Sequence, residues 1–425
     1  MTQHVLASRD RSWSLETAVP RSTGVLVGAQ LVGQALAVVT AVLLTRRLGV
    51  SSFGIYAFVT AAVFIANVGT TFGTDMVLIR EIGRDRRLDR CPAAFVLQLV
   101  LSAVAIAMVF AGSAVVDAVG SSGAGRFIAP LRIFSLALIP AAAYSVATAL
   151  LRGLGMLRHY AVAVVAAAGM PLVAVATAVH AGDGLARTMT VLLAAQVAVA
   201  AVAVVCCAAP LARARATSAP TRAQVVAMAR ASREVGVLSA VGVVYQRLAM
   251  LGVAVLVGPT ANGWYSGAAR IVEASRTGHI ALATAAYPAM AEATRDDAGA
   301  DVRVMLRRAR LTNFVLALAV AGGLAIAGRV LVERLYGSAF AESKDALPIL
   351  AVALVASCVA TFESLALLAE RREREVLRVM AACVAVLLVG LVVMVTAFGW
   401  IGACWAMLAA DVAQAALLTS RRVRR

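Results

Sequence analysis

Residues 235–291 read VGVLSAVGVVYQRLAMLGVAVLV-GPTAN-GWYSGAARIVEASRTGHIALATAAYPAMA, two apolar runs joined by a five-residue turn. The first, Val235 to Val257, is interrupted by Arg247; the second, Gly263 to Ala291, carries Arg270, Glu273 and Arg276. Each run reaches the about 20 residues a helix needs to cross roughly 30 Å of hydrocarbon. A charge at that depth is costly, so each of the four side chains is a functional candidate.

The rest of the chain follows the same pattern. Its 425 residues are 62% hydrophobic and 14% charged, far below the roughly 25% charged of soluble domains. Spans are expected at Ser22 to Leu44, Phe53 to Met76, Ala93 to Val116, Phe127 to Leu150, Tyr160 to His180 and Leu185 to Ala209. A second set follows at Val235 to Val257, Gly263 to Ala291, Leu311 to Val332, Ala346 to Ala369, Val376 to Phe398 and Trp400 to Thr419. All are helical, because backbone polar groups in lipid must find partners within the segment. The expected fold is an all-α integral membrane protein with twelve transmembrane helices.

The domain plan is a polar cytoplasmic tail (1–21), a first lobe (22–209), a cytoplasmic linker (210–234), a second lobe (235–420) and a basic tail (421–425). The first tail is too long and mixed for a signal-peptide n-region, and a full span follows it. Arginine placement sets the orientation. With both termini cytoplasmic, inner segments hold 28 basic side chains, outer segments 7 and the spans 4. The net charge of +17 therefore lies in short loops, not on the basic face of a soluble module, and no nucleic-acid partner is expected. Cys91, Cys206, Cys207, Cys358, Cys383 and Cys404 lack paired spacing in outer loops, which argues against structural disulfides.

A repeat divides the chain. Gly49-x4-Gly54-x-Tyr56 returns as Gly258-x4-Gly263-x-Tyr265, and Gly69 as Gly278, all offset by 209 residues. Both copies fall on the first turn of a six-span set. Six is even, so the two bundles run the same way and are related by an axis along the membrane normal.

Two stretches resemble a known family: Arg46-Arg47-Leu48-Gly49-x3-Phe53-Gly54-x-Tyr56 continuing to Phe72-Gly73-x6-Arg80-Glu81, and Gly258-Pro259-x3-Gly263-x-Tyr265-x2-Ala268-x-Arg270 continuing to Tyr287-Pro288. They are similar to the polysaccharide-biosynthesis flippases, the O-antigen and capsule type of the multidrug/oligosaccharidyl-lipid/polysaccharide exporter superfamily. The resemblance implies a MATE-like fold of two pseudo-symmetric bundles. It implies movement of a polyprenyl-diphosphate-linked oligosaccharide to the outer leaflet of a bacterial cytoplasmic membrane by alternating access, with no bound cofactor. A polysaccharide polymerase and glycosyltransferases of the same pathway would be partners. Relatives often carry an acid after the position of Arg247; here Leu248 and Ala249 stand there, which puts cation coupling in doubt.

Arg247 lies ten residues from Val257 and Glu273 ten from Gly263, so both sit about 15 Å from the same surface on antiparallel neighbours. Either they form an ion pair that fixes packing, or they belong to a substrate site. Arg270, Glu273 and Arg276 step by three residues along one broad face. One acid cannot neutralise three arginines, and guanidinium donors suit a diphosphate. At the repeat offset the four positions become Val38, Ala61, Phe64 and Asn67, so the bundle architecture does not require the charges. His279, one turn deeper, either extends the stripe or packs.

Glu363 and Asp411 lie within later spans; each either binds a proton or sodium ion or is a hydrogen-bonded packing group. Gln30, Gln34, Gln98 and Gln196 either line a wet cavity or bridge helices. Pro140, Pro171 and Pro288 should kink their spans.

The alternatives are a drug or metabolite antiporter of the same superfamily, which favours acids for cationic cargo, and a membrane glycosyltransferase or polymerase. The latter generally needs a sizeable extramembrane loop or paired acids. The longest outer loop, Glu333 to Asp345, is short, and the chain has no Asp-x-Asp and no nucleotide-binding glycine loop. No enzymatic activity is expected.

Overall fold

The computed structural model describes residues 10–86, 88–119, 125–209, 219–293 and 300–423. Residues 1–9 of the expected tail, 210–218 of the expected linker and 424–425 lie outside them. The regular elements among the described residues are all helical. In the first half they are α1 (Asp10–Thr71), α2 (Thr74–Asp85), α3 (Cys91–Val119), α4 (Gly125–Ser135), α5 (Leu138–Gly153), α6 (Leu157–Ala178) and α7 (Leu185–Cys206). The second half has α8 (Arg222–Leu256), α9 (Pro259–Ala285), α10 (Tyr287–Glu292), α11 (Ala300–Tyr336), α12 (Ser343–Ala369), α13 (Glu373–Phe398) and α14 (Ile401–Val423).

Nine described helical stretches are long and apolar enough to cross a bilayer, and α4 with α5, bent by 41°, makes a tenth. Pro140 explains that bend: it sits in the first turn of α5 and cannot donate to a carbonyl one turn back. The stretch Gly28–Thr71 has 44 residues, about 66 Å of helix, and its kink at Gly49 (φ 72°, ψ 173°) folds it into two crossings. Helix α9 carries three charges, yet it packs along α1 and α12 and completes twelve spans in two pseudo-symmetric bundles.

Several helix boundaries depart from the expected spans. A capping box, Thr221 with Gln224, starts α8 at Arg222, ahead of Val235, because its reciprocal bonds satisfy two orphan donors. Backbone helix likewise extends back to Asp10 in α1. The turn between the charged spans shortens: Gly258 takes φ 118°, ψ 178°, and Pro259 opens α9 directly.

Gly49 and Gly258 thus share a backbone region essentially reserved for glycine. Gly337 and Gly399 also have positive φ in the two later turns at the same end. We call this the glycine-turn end and the opposite one the arginine-rich end.

The seam between the bundles is formed by α1 with parts of α2 and α3 on one side, and by α8 and α9 on the other. It is tightest where the repeat places glycine. A β-carbon on Gly54 would fall 1.8 Å from the Pro259 carbonyl oxygen, and one on Gly263 would fall 2.2 Å from that of Val50. The two contacts map onto each other by the 209-residue offset. Asn262 Nδ2 donates to Gly54 O at 2.7 Å, and the buried rings of Phe53 and Phe340 meet edge-on at 5.7 Å. Near the arginine-rich end Gly73 and Gly236 form a second close approach.

Candidate functional site

A cavity of about 650 Å³ lies between the bundles, walled by α1, α4, α5, α6 and α7 and closed by residues of α8 and α9. It runs from Tyr56 past Phe64 and Asn67 to Thr71 and Asp75, toward the arginine-rich end. Apart from Asp75 at its far end, the first-half wall is uncharged: alanines such as Ala61 and Ala141 are interspersed with Thr60, Asn67, Ser145, Thr148 and Gln196. Thr60 and Thr148 donate to carbonyls of their own helices, which leaves their oxygens free to accept. The second half contributes Arg247, Met250 and Arg270.

Arg247 is pinned. Its Nη1 donates to Glu273 Oε1 at 2.6 Å, and its Cζ lies 5.1 Å from the Phe64 ring centroid. Phe64 occupies in the first half the repeat position that Glu273 occupies in the second, so this guanidinium bridges a symmetry-related pair.

Arg270 is different. It reaches over the Tyr56 ring at 5.7 Å, lines the cavity and has no carboxylate within ion-pair distance among the described residues. Its Nε, like those of Arg247 and Arg276, is buried without a hydrogen-bond partner.

Arg276 is not among the cavity-lining residues. Its Nη2 lies 3.5 Å from Oδ2 of the fully buried Asp411, whose Oδ1 accepts from the Tyr245 hydroxyl at 2.6 Å. This group ties α8, α9 and α14 together inside the second bundle. Two acids therefore pair directly with two of the three arginines, while Arg270 is left with the Tyr56 ring and, at longer range, Glu273 one turn along its own helix.

Arg247 projects from α8 and Arg270 and Arg276 from α9, the two helices joined at the Gly258 turn. A family model described as polysaccharide biosynthesis protein matches residues 19–294, more than half of the chain. The chain belongs to the polysaccharide biosynthesis protein family.

Solved structures extend the likeness to the fold as a whole. An inward-facing multidrug resistance MATE family transporter of the MOP superfamily is 18% identical with a TM-score of 0.73, covering 92% of this chain and 94% of its own. A eukaryotic MATE transporter is 13% identical, with a TM-score of 0.71 and 96% of each chain covered. A MOP superfamily transporter from Pyrococcus furiosus, described as having a binding pocket of reverse polarity that suggests a different function, is 18% identical with a TM-score of 0.68 over 94% and 95% of the chains. No curated protein matches the sequence.

In this member of the family Glu363 lies apart from the cavity. Its two oxygens meet Arg310 Nη2 at 2.7 Å and Arg422 Nη1 at 2.9 Å, so it joins α11, α12 and α14 near the arginine-rich end. Asp75 and Gln196 line the cavity. Gln98 is buried and donates to Thr74 Oγ1 at 2.7 Å and Ser145 Oγ at 3.3 Å, whereas Gln30 is exposed. His279 is buried. The lining residues Asn67, Ser145 and Thr148 carried no signal in sequence beyond being polar within a span; Asn67 alone stood out, as the counterpart of Arg276.

Of the turn glycines, Gly54 and Gly263 hold the seam, and Gly49 and Gly258 make the turns. Tyr56 lies under Arg270, while its repeat partner Tyr265 is buried in the second bundle.

Proposed function

We propose that the protein moves a polyprenyl-diphosphate-linked oligosaccharide from the cytoplasmic to the outer leaflet by alternating access, for cell-surface polysaccharide synthesis. The observation that carries this reading is Arg270: a guanidinium without an acid partner, aimed into a cavity between two bundles. Guanidinium forks match phosphate oxygens.

The first-half wall, uncharged except for Asp75 and rich in hydroxyl and amide groups, suits sugar hydroxyls, which need acceptors as well as donors. The lipid tail stays in the bilayer. With both termini cytoplasmic, as arginine counting favours, the cavity extends toward the face where glycosyltransferases build such substrates, and a polymerase consumes them on the other. The membrane is then the bacterial cytoplasmic membrane. Transport of this kind uses no bound cofactor and makes no covalent bond.

A drug or metabolite antiporter is the second reading, favoured by the multidrug transporters among the similar structures. Two lining arginines against the single lining acid Asp75 weigh toward an anionic cargo. In proteoliposomes holding a fluorescent polyprenyl-diphosphate oligosaccharide, the protein should expose the glycan to a quencher that cannot cross the bilayer. Arg270→Ala should abolish this and Arg270→Lys should weaken it. No movement by the wild type, together with export of a cationic dye, would transfer the case to the antiporter.

A further inference from the structure

The two arginines that open the first turn are neighbours in sequence and serve different bundles. Arg47 donates to the carbonyls of Val175, Ala176 and Val179, at the end of α6 in its own bundle. Arg46 reaches the other way, its Nε to Leu335 O at 2.8 Å and its Nη2 to Arg334 O at 2.6 Å, at the end of α11 in the second bundle. Each therefore places a cation where a helix leaves carbonyls unsatisfied and the macrodipole is negative. In α11, Gly337 N already serves Glu333 O, and Arg46 takes the next two carbonyls.

We propose that Arg46 is a releasable latch that holds the glycine-turn end of the two bundles closed while the cavity extends toward the arginine-rich end. This rests on the alternating-access reading above. A second cross-bundle donor, Asn262, bonds Gly54 O at the same end, and Phe53 meets Phe340 there. Opening this end must separate those groups. The Asn262 and Phe53 contacts are buried and act as a plug, whereas Arg46 is exposed. Water can take over the Arg46 donors as they leave, so the latch adds bias without locking the state.

The test reads opening directly and needs no substrate, so it fails or succeeds apart from the identity of the cargo. The six native cysteines are replaced and Ala61→Cys, in the cavity wall, reports access in intact cells to a thiol reagent that cannot cross the membrane. Arg46→Gln should raise labelling from outside about two- to fivefold, the equilibrium shift that a cation at a helix C-terminus supports. Arg46→Lys should fall between Arg46→Gln and the parent. Arg47→Gln is the control, because it loosens a cap within one bundle, and its labelling should match the parent. Unchanged labelling in Arg46→Gln overturns the latch. So does an equal rise in Arg47→Gln, which would indicate general loosening.

Discussion

Gly54 and Gly263 make the same contact in opposite directions: each lays its bare Cα against a backbone carbonyl of the other bundle, Pro259 and Val50 respectively. A methyl group at either site must push two backbones apart at the seam. We expect Gly54→Ala and Gly263→Ala each to destabilise by the upper end of the about 1–3 kcal/mol seen for overpacking, or more. Gly69 and Gly278, also paired by the repeat, have open space around them. Ala there should be neutral or slightly stabilising, as expected for glycine within a helix. Thermal unfolding of the four purified variants checks the contrast.

Arg247 and Glu273 should show a coupling of about 1–3 kcal/mol in a double-mutant cycle for stability, because both are partly withdrawn from water and in contact. Glu273→Gln should keep transport, since Arg247 would then lean on Phe64 and the cavity. Loss of transport in Glu273→Gln with stability unchanged would show that the pair itself takes part in moving substrate.

Glu363→Gln should lower stability by about 1.5–3 kcal/mol, the range for hydrogen bonds to charged groups, and leave transport intact at low temperature. Arg310 and Arg422 are partly exposed, so both can turn to water once the carboxylate is gone. A coupling acid would behave the other way, with transport lost and melting unchanged.

Asp75, in the first turn of α2, is the acid at the far end of the cavity. We expect it to disfavour glycans with carboxylate groups several sugars from the diphosphate. Asp75→Asn should raise the rate for an acidic oligosaccharide relative to a neutral one of equal length. Equal rates for both variants on both substrates would remove Asp75 from specificity.

Much of the frame could be read from residues 235–291, because apolar length and the repeat of Gly258 and Gly263 are local signals. The depth of Arg247 and Glu273 follows from counting residues on two antiparallel helices joined by a tight turn. The Arg276–Asp411–Tyr245 and Glu363–Arg310–Arg422 groups were not readable in this way. They join helices distant in the chain, and spacing within a span does not say which distant span lies alongside. The stripe of Arg270, Glu273 and Arg276 shows the limit: three residues on one face of α9 find three different neighbours, in the cavity, on Arg247 and on α14.

The carbonyl caps on Arg46 and Arg47 also bear on how the chain acquires its orientation in the bilayer. Of the seven basic side chains that arginine counting places on the outer face, these two bind helix carbonyls, and Arg187 and Arg329 are held by Asp183 and Glu333. Each has a local fixed partner once the bundle closes, so its passage through the insertion machinery is recovered in the folded state. Arg46→Gln would therefore loosen a gate without turning the protein over.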